Sequence, residues 1–593
     1  MAESNKYRFK DLNVEECFKD FYLVPDYQRE YVWRAEQEVA QLLIDLYDEF
    51  SGDKTKEYFI GTTVVFDNNG QKELIDGQQR TTTLFLMLCA FRNLYALRGL
   101  PTNVADQLLQ NVRLNENGDE VSQLHLVLQY PDSETILQQI VSRASKRTMT
   151  SDSAKRINEA YETVYKFIED NTEKDIDELK SFFMYFLRKL KFIQILTPDI
   201  NDALKIFETI NDRGVGLNPM DLLKNLIFQQ VTRDKFYKLK DKWKDLVDTL
   251  ETKQEKPLRF LRYFIVSNYP STSNSSNPSR GDENTIREDE IYKWFTRKEN
   301  VHIYSADPYG FVDRLIENAR CYVNFAQGKD KHGNYNINLS NIIRLGGNAF
   351  RQHIILLLAA RNFSPEMFDF LSKCIETYLF YFLFTKEQAK IYEKQFGKWN
   401  LTLGQVSTLD DLKAWVDANI KPEIEKKEAE YKLRFLTFSQ NDLQQYRVRY
   451  ILAKIAQYVD SARTGVLSAS SLTNYIKAGV EIEHILPQTP TPEMLEQIPE
   501  YDRVKIKLGN LTLIEKSMND VIKNKPYSDK VLEYEKSPYY ITKSLAKLDS
   551  VGLNSAINRI NTLLKSYDHW DAETVADRQQ LLYELSLRIW TLE

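Results

Sequence analysis

Glu481-Ile482-Glu483-His484-Ile485-Leu486-Pro487, followed by Leu508-Gly509-Asn510-Leu511-Thr512-Leu513-Ile514 and then Asn519, is the stretch that decides how this chain reads. The first two runs have strand character and the residues around Asn519 have helix character, giving the order strand, strand, helix. His484 is one of only six histidines in 593 residues and stands beside an acid, Glu483. Hydrolysis of a phosphodiester needs a base to deprotonate water and a cation to stabilise the developing charge. A neutral imidazole is available as that base near pH 7. Carboxylate and amide oxygens are hard ligands suited to magnesium or manganese. The expected roles follow: His484 as general base, Asn510 as the amide that fixes the loop and orients the imidazole, Glu483 and Asn519 as metal ligands. Strand alternation sends Glu483 to the face opposite His484, so this ligand set needs a twisted strand end. Asn524 is an alternative to Asn519. Lys523, one helical turn beyond Asn519, and Lys525 are expected to meet DNA phosphates. A plain structural reading stays open, with His484 satisfied in the core and both asparagines in turns.

Composition narrows the class. A chain of this length exceeds a single core and calls for about three to four domains. No apolar run reaches the roughly 18–20 residues of a membrane span, and Met1-Ala2-Glu3-Ser4-Asn5-Lys6 lacks a signal-peptide core. Cys17, Cys89, Cys321 and Cys374 are widely separated, so isolated buried thiols in a reducing, cytoplasmic setting are expected rather than a disulfide framework or a zinc site. The net charge of −6 argues against indiscriminate coating of nucleic acid. Residues 501–550 nevertheless hold ten Lys/Arg against seven Asp/Glu, a mild positive bias around the candidate site.

Along the chain, Phe59–Phe66 reads as a strand, Asp67-Asn68-Asn69-Gly70 as a hairpin turn and Gln71–Ile75 as the return strand. A long apolar helix opens at Thr81. Residues 100–185 read as helical, Lys191–Leu196 as a strand and Ala203–Ile210 as a helix before the loop Asn211-Asp212-Arg213-Gly214. Asn218, Pro219 and Asp221 mark another helix start. Residues 236–440 are mostly amphipathic helix, broken by the Ser/Asn-rich loop Ser267–Thr285, and a new helix at Gln445–Val459 leads into the opening stretch. The expected division is 1–235, 236–440 and 441–593.

The other chemistry-bearing element is Ile75-Asp76-Gly77-Gln78-Gln79-Arg80-Thr81. A helix N-terminus after a strand offers free N–H groups to an anion, Arg80 can grip a phosphate, and Gly77 permits close backbone approach. No GxxxxGK[ST] run occurs, so an ordinary P-loop is excluded. On these residues alone, a well-capped helix after a hairpin is the competing reading.

The acid-His, Asn, Asn order resembles the HNH, or ββα-metal, endonuclease motif, with Asn519 where many such enzymes carry His. The wording EHILPQ … LGNLTLI … N resembles the C-terminal domain of GmrSD-type modification-dependent (type IV) restriction endonucleases. DGQQR resembles the signature of the ParB/sulfiredoxin-like domain at the N-terminus of that family. Val24-Pro25-Asp26-Tyr27-Gln28-Arg29-Glu30-Tyr31-Val32-Trp33 and Phe207-Glu208-Thr209-Ile210-Asn211-Asp212-Arg213-Gly214 resemble two further motifs of it. The resemblance implies a predominantly helical α+β chain: a ParB/sulfiredoxin-like α+β nucleotidase domain, a helical middle and a ββα-metal (HNH) nuclease domain. It implies that Asp76 and Arg80 act in nucleotide hydrolysis. Gly77, Gln78, Gln79, Arg80, Thr81, Arg29 and Arg213 would hold a nucleoside triphosphate. It further implies a prokaryotic anti-phage endonuclease, nucleotide-regulated and dependent on Mg2+ or Mn2+, whose partners are modified phage DNA and a nucleotide, with a homo-oligomer compatible with it. The alternative is a nucleotide-switched DNA- or partner-binding protein with an inactive HNH segment.

Overall fold

The computed structural model describes residues 7–25, 28, 30–68, 71–114, 120–130, 133–172, 175–198, 202–203, 206, 219–231, 236–269, 286–347, 350–465, 471–550 and 555–593. They form two compact units, one ending at Lys244 and including Tyr292–Phe311, the other comprising Asp245–Ile291 and Val312–Glu593. The chain is predominantly helical with small sheets, an α+β class. Among the described residues no helix is long and apolar enough to cross a membrane. All four cysteines are free and buried.

The first unit is built on a mixed sheet. Its strands are β1 (Arg8–Asn13), β2 (Tyr22–Val24), β3 (Tyr58–Asn68) and β4 (Gln71–Asp76), then β7 (Leu126–Leu128) and β8 (Leu190–Thr197). A separate hairpin is formed by β5 (Gln110–Leu114) and β6 (Glu120–Leu124). The six-stranded order is β1-β8-β3-β4-β2-β7, with β3 parallel to β8 and antiparallel to β4. The expected hairpin at 59–75 and the strand at 191–196 are therefore present, while Asn69 and Gly70 lie outside the described residues. Helix α1 (Gln78–Leu97) starts three residues before Thr81, because Gly77 takes the left-handed φ of +86° at the N-cap and starts the turn at once. Leu84–Phe91 of α1 are all buried, with α2 (Asp152–Thr172) packed alongside.

The helical expectation for 100–185 fails at the hairpin strands β5 and β6 and at the short β7. The hairpin's period-2 alternation, Val112 and Val121 outward, is a weak signal between flanking helices, and cross-strand pairing wins over it. The helix over 203–210, its loop and Asn218 lie almost wholly outside the described residues, and so do residues 270–285 of the expected Ser/Asn-rich loop. The helix at Pro219–Phe228 is present.

The second unit carries the helices from Pro257 to Thr437, apart from the excursion through Tyr292–Phe311, and the opening stretch itself. Helix α3 (Gln445–Thr464) leads to β9 (Val480–His484). The antiparallel β10 (Leu511–Glu515) and α4 (Lys516–Ile522) follow, then α5 (Tyr527–Tyr534) and α6 (Ala572–Ile589). The strand-strand-helix order is as expected. Ile485, Leu486, Ile514, Ile522, Tyr534 and Trp570 close a core beneath it.

Candidate active site

His484 ends β9, opposite Leu511. Its imidazole is held between two amides: Nε2 lies 3.0 Å from Gln440 Oε1 and Nδ1 is 3.1 Å from the Gln488 amide nitrogen. The ring therefore donates through Nε2 and accepts at Nδ1. Burial, reinforced by the charges of Lys530 and Lys505, pushes the imidazole from its ordinary value down to about 4, so it is neutral at physiological pH. The ring faces a polar pocket of about 510 Å³ that Glu481, Gln440, Gln488 and Arg449 also line.

Asn510 sits where sequence reasoning put it, and its contacts define its work. The side chain is fully buried. Oδ1 accepts from the Leu486 N–H at 2.7 Å and from Trp570 Nε1 at 3.0 Å, while Nδ2 donates to the carbonyls of Leu486 at 3.1 Å and Lys505 at 2.8 Å. It ties down the loop immediately after His484 without reaching the pocket. Behind it, Arg578 donates to the Gly509 and Leu511 carbonyls at 2.7 Å each. A Cβ on Gly509 would lie 2.2 Å from the Val575 carbonyl oxygen, so only glycine lets α6 pack this closely. Gly509→Ala is expected to cost about 1–3 kcal/mol through overpacking, read as a lower melting temperature.

The structure does not bring Glu483 to Asn519 or to the pocket. Strand alternation turns it to the buried face, where its carboxylate accepts from Lys530 Nζ at 2.6 Å and Tyr534 OH at 2.9 Å. Lys530 also donates to the His484 carbonyl at 2.7 Å. Burial raises the Glu483 carboxyl despite Lys530 and lowers the Lys530 amine despite Glu483. The acid that does meet Asn519 is Glu481, whose Oε2 accepts from Asn519 Nδ2 at 2.6 Å. Glu481 lines the same pocket as His484. Alternation alone would put residue 481 on the face of Glu483, away from His484, so the strand pattern does not find Glu481; its partial exposure at the pocket does. Gln440 carries no sequence signal, whereas Gln488 closes the EHILPQ run. Lys523 caps the C-terminus of α4 with a positive φ of 44°, and Lys525 is exposed beyond it.

In the first unit, Asp76 ends β4 and Gly77 caps α1. Burial raises the Asp76 carboxyl, opposed by the Arg80 guanidinium and a hydrogen bond from Gly77. Arg80 Nη1 donates to the Ile60 carbonyl at 2.6 Å, over Gly61, whose added Cβ would fall 2.2 Å from that nitrogen. Gln79 is occupied within the protein: Oε1 accepts from the Val32 N–H at 2.8 Å and Nε2 donates to the Glu30 carbonyl at 3.0 Å. Gln78 accepts from Tyr130 OH at 3.0 Å, and Thr81 is buried in the first turn of α1. The DGQQR element thus clasps the 30–33 segment as well as presenting a helix start. Arg29 and Arg213 lie outside the described residues.

Comparison with known families places these two regions together. Residues 10–228 match the model of the GmrSD restriction endonuclease N-terminal domain, and residues 425–585 match that of the GmrSD restriction endonuclease C-terminal domain. A search of curated proteins found no match. The two matches, in chain order and spanning both elements described above, show that the chain belongs to the GmrSD restriction endonuclease family.

Proposed function

We propose that this restriction endonuclease is an anti-phage enzyme that hydrolyses the phosphodiesters of modified DNA with His484 as general base, under the control of a nucleotide bound at Asp76–Arg80. The observation that carries this is the His484 imidazole, held neutral by burial and poised between two amides at a polar pocket that also holds Glu481. Gln488 occupies the place beside Nδ1 that the attacking water takes, and Gln440 fixes the tautomer from the other side. Lys530 positions His484 through its backbone carbonyl, and Asn510 does so through the Leu486 backbone two residues on.

A divalent cation fits the residues present. Glu481 and Asn519 already touch, one carboxylate and one amide, which is the sparse oxygen set that magnesium accepts while keeping several waters. Among the described residues there is no cluster of three His, Cys, Asp or Glu side chains, so a softer, fully protein-caged metal has no site there. When bound, the ion would stabilise charge on the phosphate and leaving oxygen. Chelation is expected to abolish cutting and added magnesium to restore it. Glu481→Gln and Asn519→Ala should each raise the magnesium needed for half-maximal cutting by at least the roughly 10-fold that losing an outer-shell partner costs. Undiminished cutting in excess EDTA would overturn the metal.

The nucleotide reading rests on Asp76 at the end of β4 and Arg80 in the first turn of α1, whose guanidinium is near enough to oppose the rise of the Asp76 carboxyl, both at a helix N-terminus. Arg80→Ala should lower nucleotide hydrolysis about tenfold or more, as loss of a charged hydrogen bond does. Gly61→Ala should do the same by displacing the guanidinium. DNA cutting that ignores both nucleotide and Arg80→Ala would leave an ungated nuclease.

A further inference from the structure

A second cleft, of about 430 Å³, lies beside the His484 pocket and shares Arg449 with it. Arg344, Gly347, Tyr446 and Tyr450 line it as well, with Ile343 and Ile476 as its apolar wall. Its size falls within the roughly 300–1,000 Å³ of small-ligand sites. Arg344 donates to Thr473 Oγ1 at 3.4 Å and Arg449 to the Val480 carbonyl, and neither guanidinium is held by a carboxylate among the described residues. Two guanidiniums outside any ion pair among the described residues, lining one cleft, make it attractive to an anion. Tyr446 is 43 % exposed although it is a large aromatic. It is fixed rather than loose: Arg447 stacks on its ring at 5.4 Å and ties the same turn to the Leu345 carbonyl at 2.9 Å. Gly347, at φ +82°, brings its backbone close to the phenol, since a Cβ there would lie 2.8 Å from the Tyr446 oxygen.

We propose that this cleft is a nucleotide subsite for the DNA strand adjoining the scissile phosphate. The flanking phosphate is taken by Arg344 and Arg449, and its base lies against Tyr446. The proposal rests on reading the His484 pocket as the phosphodiesterase site and adds to it the path of the strand. A guanidinium pair for the backbone and a pre-fixed aromatic for a base are what sequence-tolerant single-strand binding uses. The shared Arg449 makes the two pockets neighbours along one strand, one for chemistry and one for grip.

The test reads binding without cutting. Full-length protein carrying His484→Ala is titrated against a short fluorescein-labelled single-stranded DNA, followed by anisotropy over a range of salt. Arg344→Gln, Tyr446→Leu and Tyr446→Phe are added singly. Arg344 is chosen over Arg449 because Arg449 also supports the β9 backbone. Arg344→Gln is expected to weaken binding and to flatten the dependence of log K on log salt by about 0.7, one phosphate contact on a single strand. Tyr446→Leu should weaken binding by about tenfold, with Tyr446→Phe close to the parent, because stacking needs the ring and not the hydroxyl. Unchanged affinity and slope in Arg344→Gln and Tyr446→Leu, with melting temperatures equal to the parent, would overturn the subsite. Equal losses in Tyr446→Leu and Tyr446→Phe would overturn base stacking. If His484→Ala protein still cuts DNA, the assignment of the chemistry falls, while the anisotropy still decides the subsite.

Discussion

His484→Ala is expected to lower DNA cutting by about 10²–10⁴-fold, the contribution of a positioned general base, while nucleotide hydrolysis and the melting temperature stay at the wild-type level. Folding should survive because the imidazole's partners, Gln440 and Gln488, both face the open pocket and can take water in its place. The loop after His484 is held by Asn510 and Lys530, and neither touches the ring through its side chain. The pH profile gives a second reading of the same residue. The base works unprotonated, and the imidazole is depressed to about 4 by burial. Cutting should therefore persist as pH falls through 6.5, where a free histidine would protonate, and be lost only on approach to pH 4. A plasmid-nicking assay with magnesium, run against pH, checks both. Full cutting by His484→Ala, or an acid limb at 6.5, would count against His484 as this base.

Lys530→Met is expected to be the most damaging substitution to stability in the second unit, at about 3–5 kcal/mol. Lys530 is completely buried and Glu483 nearly so, and the pair makes contact at 2.6 Å. Removing the amine leaves a carboxylate in the interior with Tyr534 OH and the His484 backbone N–H to compensate, but without its cation. Loss of the bond to the His484 carbonyl would loosen β9 at the same time. The damage should depend on pH in a defined direction. Glu483 has a carboxyl already raised by burial, and losing Lys530 raises it further. The folded state then favours the protonated acid, so the deficit is full at neutral pH and shrinks as pH falls below the raised value toward that of a free carboxyl. Restoring balance with Glu483→Gln on top of Lys530→Met should recover much of the loss. Hydrogen exchange along β9, read alongside thermal melting, separates local loosening from global unfolding. A single variant that melts like the wild type would show that the pair carries no such energy.

The strand-strand-helix order was legible because both strands lie in short β-prone runs bounded by Pro487 and Gly509, and helix α4 follows directly. Asn510 was also legible in its role as a loop clamp. Glu483 was not, for a physical reason: adjacency to His484 in sequence is opposition across a strand, and its true partner, Lys530, is brought in by tertiary packing of α5. Gln440 reaches His484 from 44 residues upstream, a distance at which no local pattern operates. In the first unit the β3–β4 hairpin and β8 were readable from β-branched runs, whereas β5 and β6 were hidden by their polar composition. Gln79 looked like a ligand-facing amide, and the chain instead spends both ends of it on its own backbone.

The four hydrogen bonds of Asn510 have a consequence for which residues the position can tolerate. Its oxygen takes two donors and its nitrogen serves two carbonyls, so every capacity of the group is used. Aspartate, the nearest isostere, would bring a negative charge against the Leu486 and Lys505 carbonyls and could donate to neither. Leucine would match the volume and leave two donors and two acceptors unanswered. Glutamine would need space that a fully buried site lacks. The position therefore tolerates none of these three, and an asparagine outside the His484 pocket limits how the chain beside that pocket can be built.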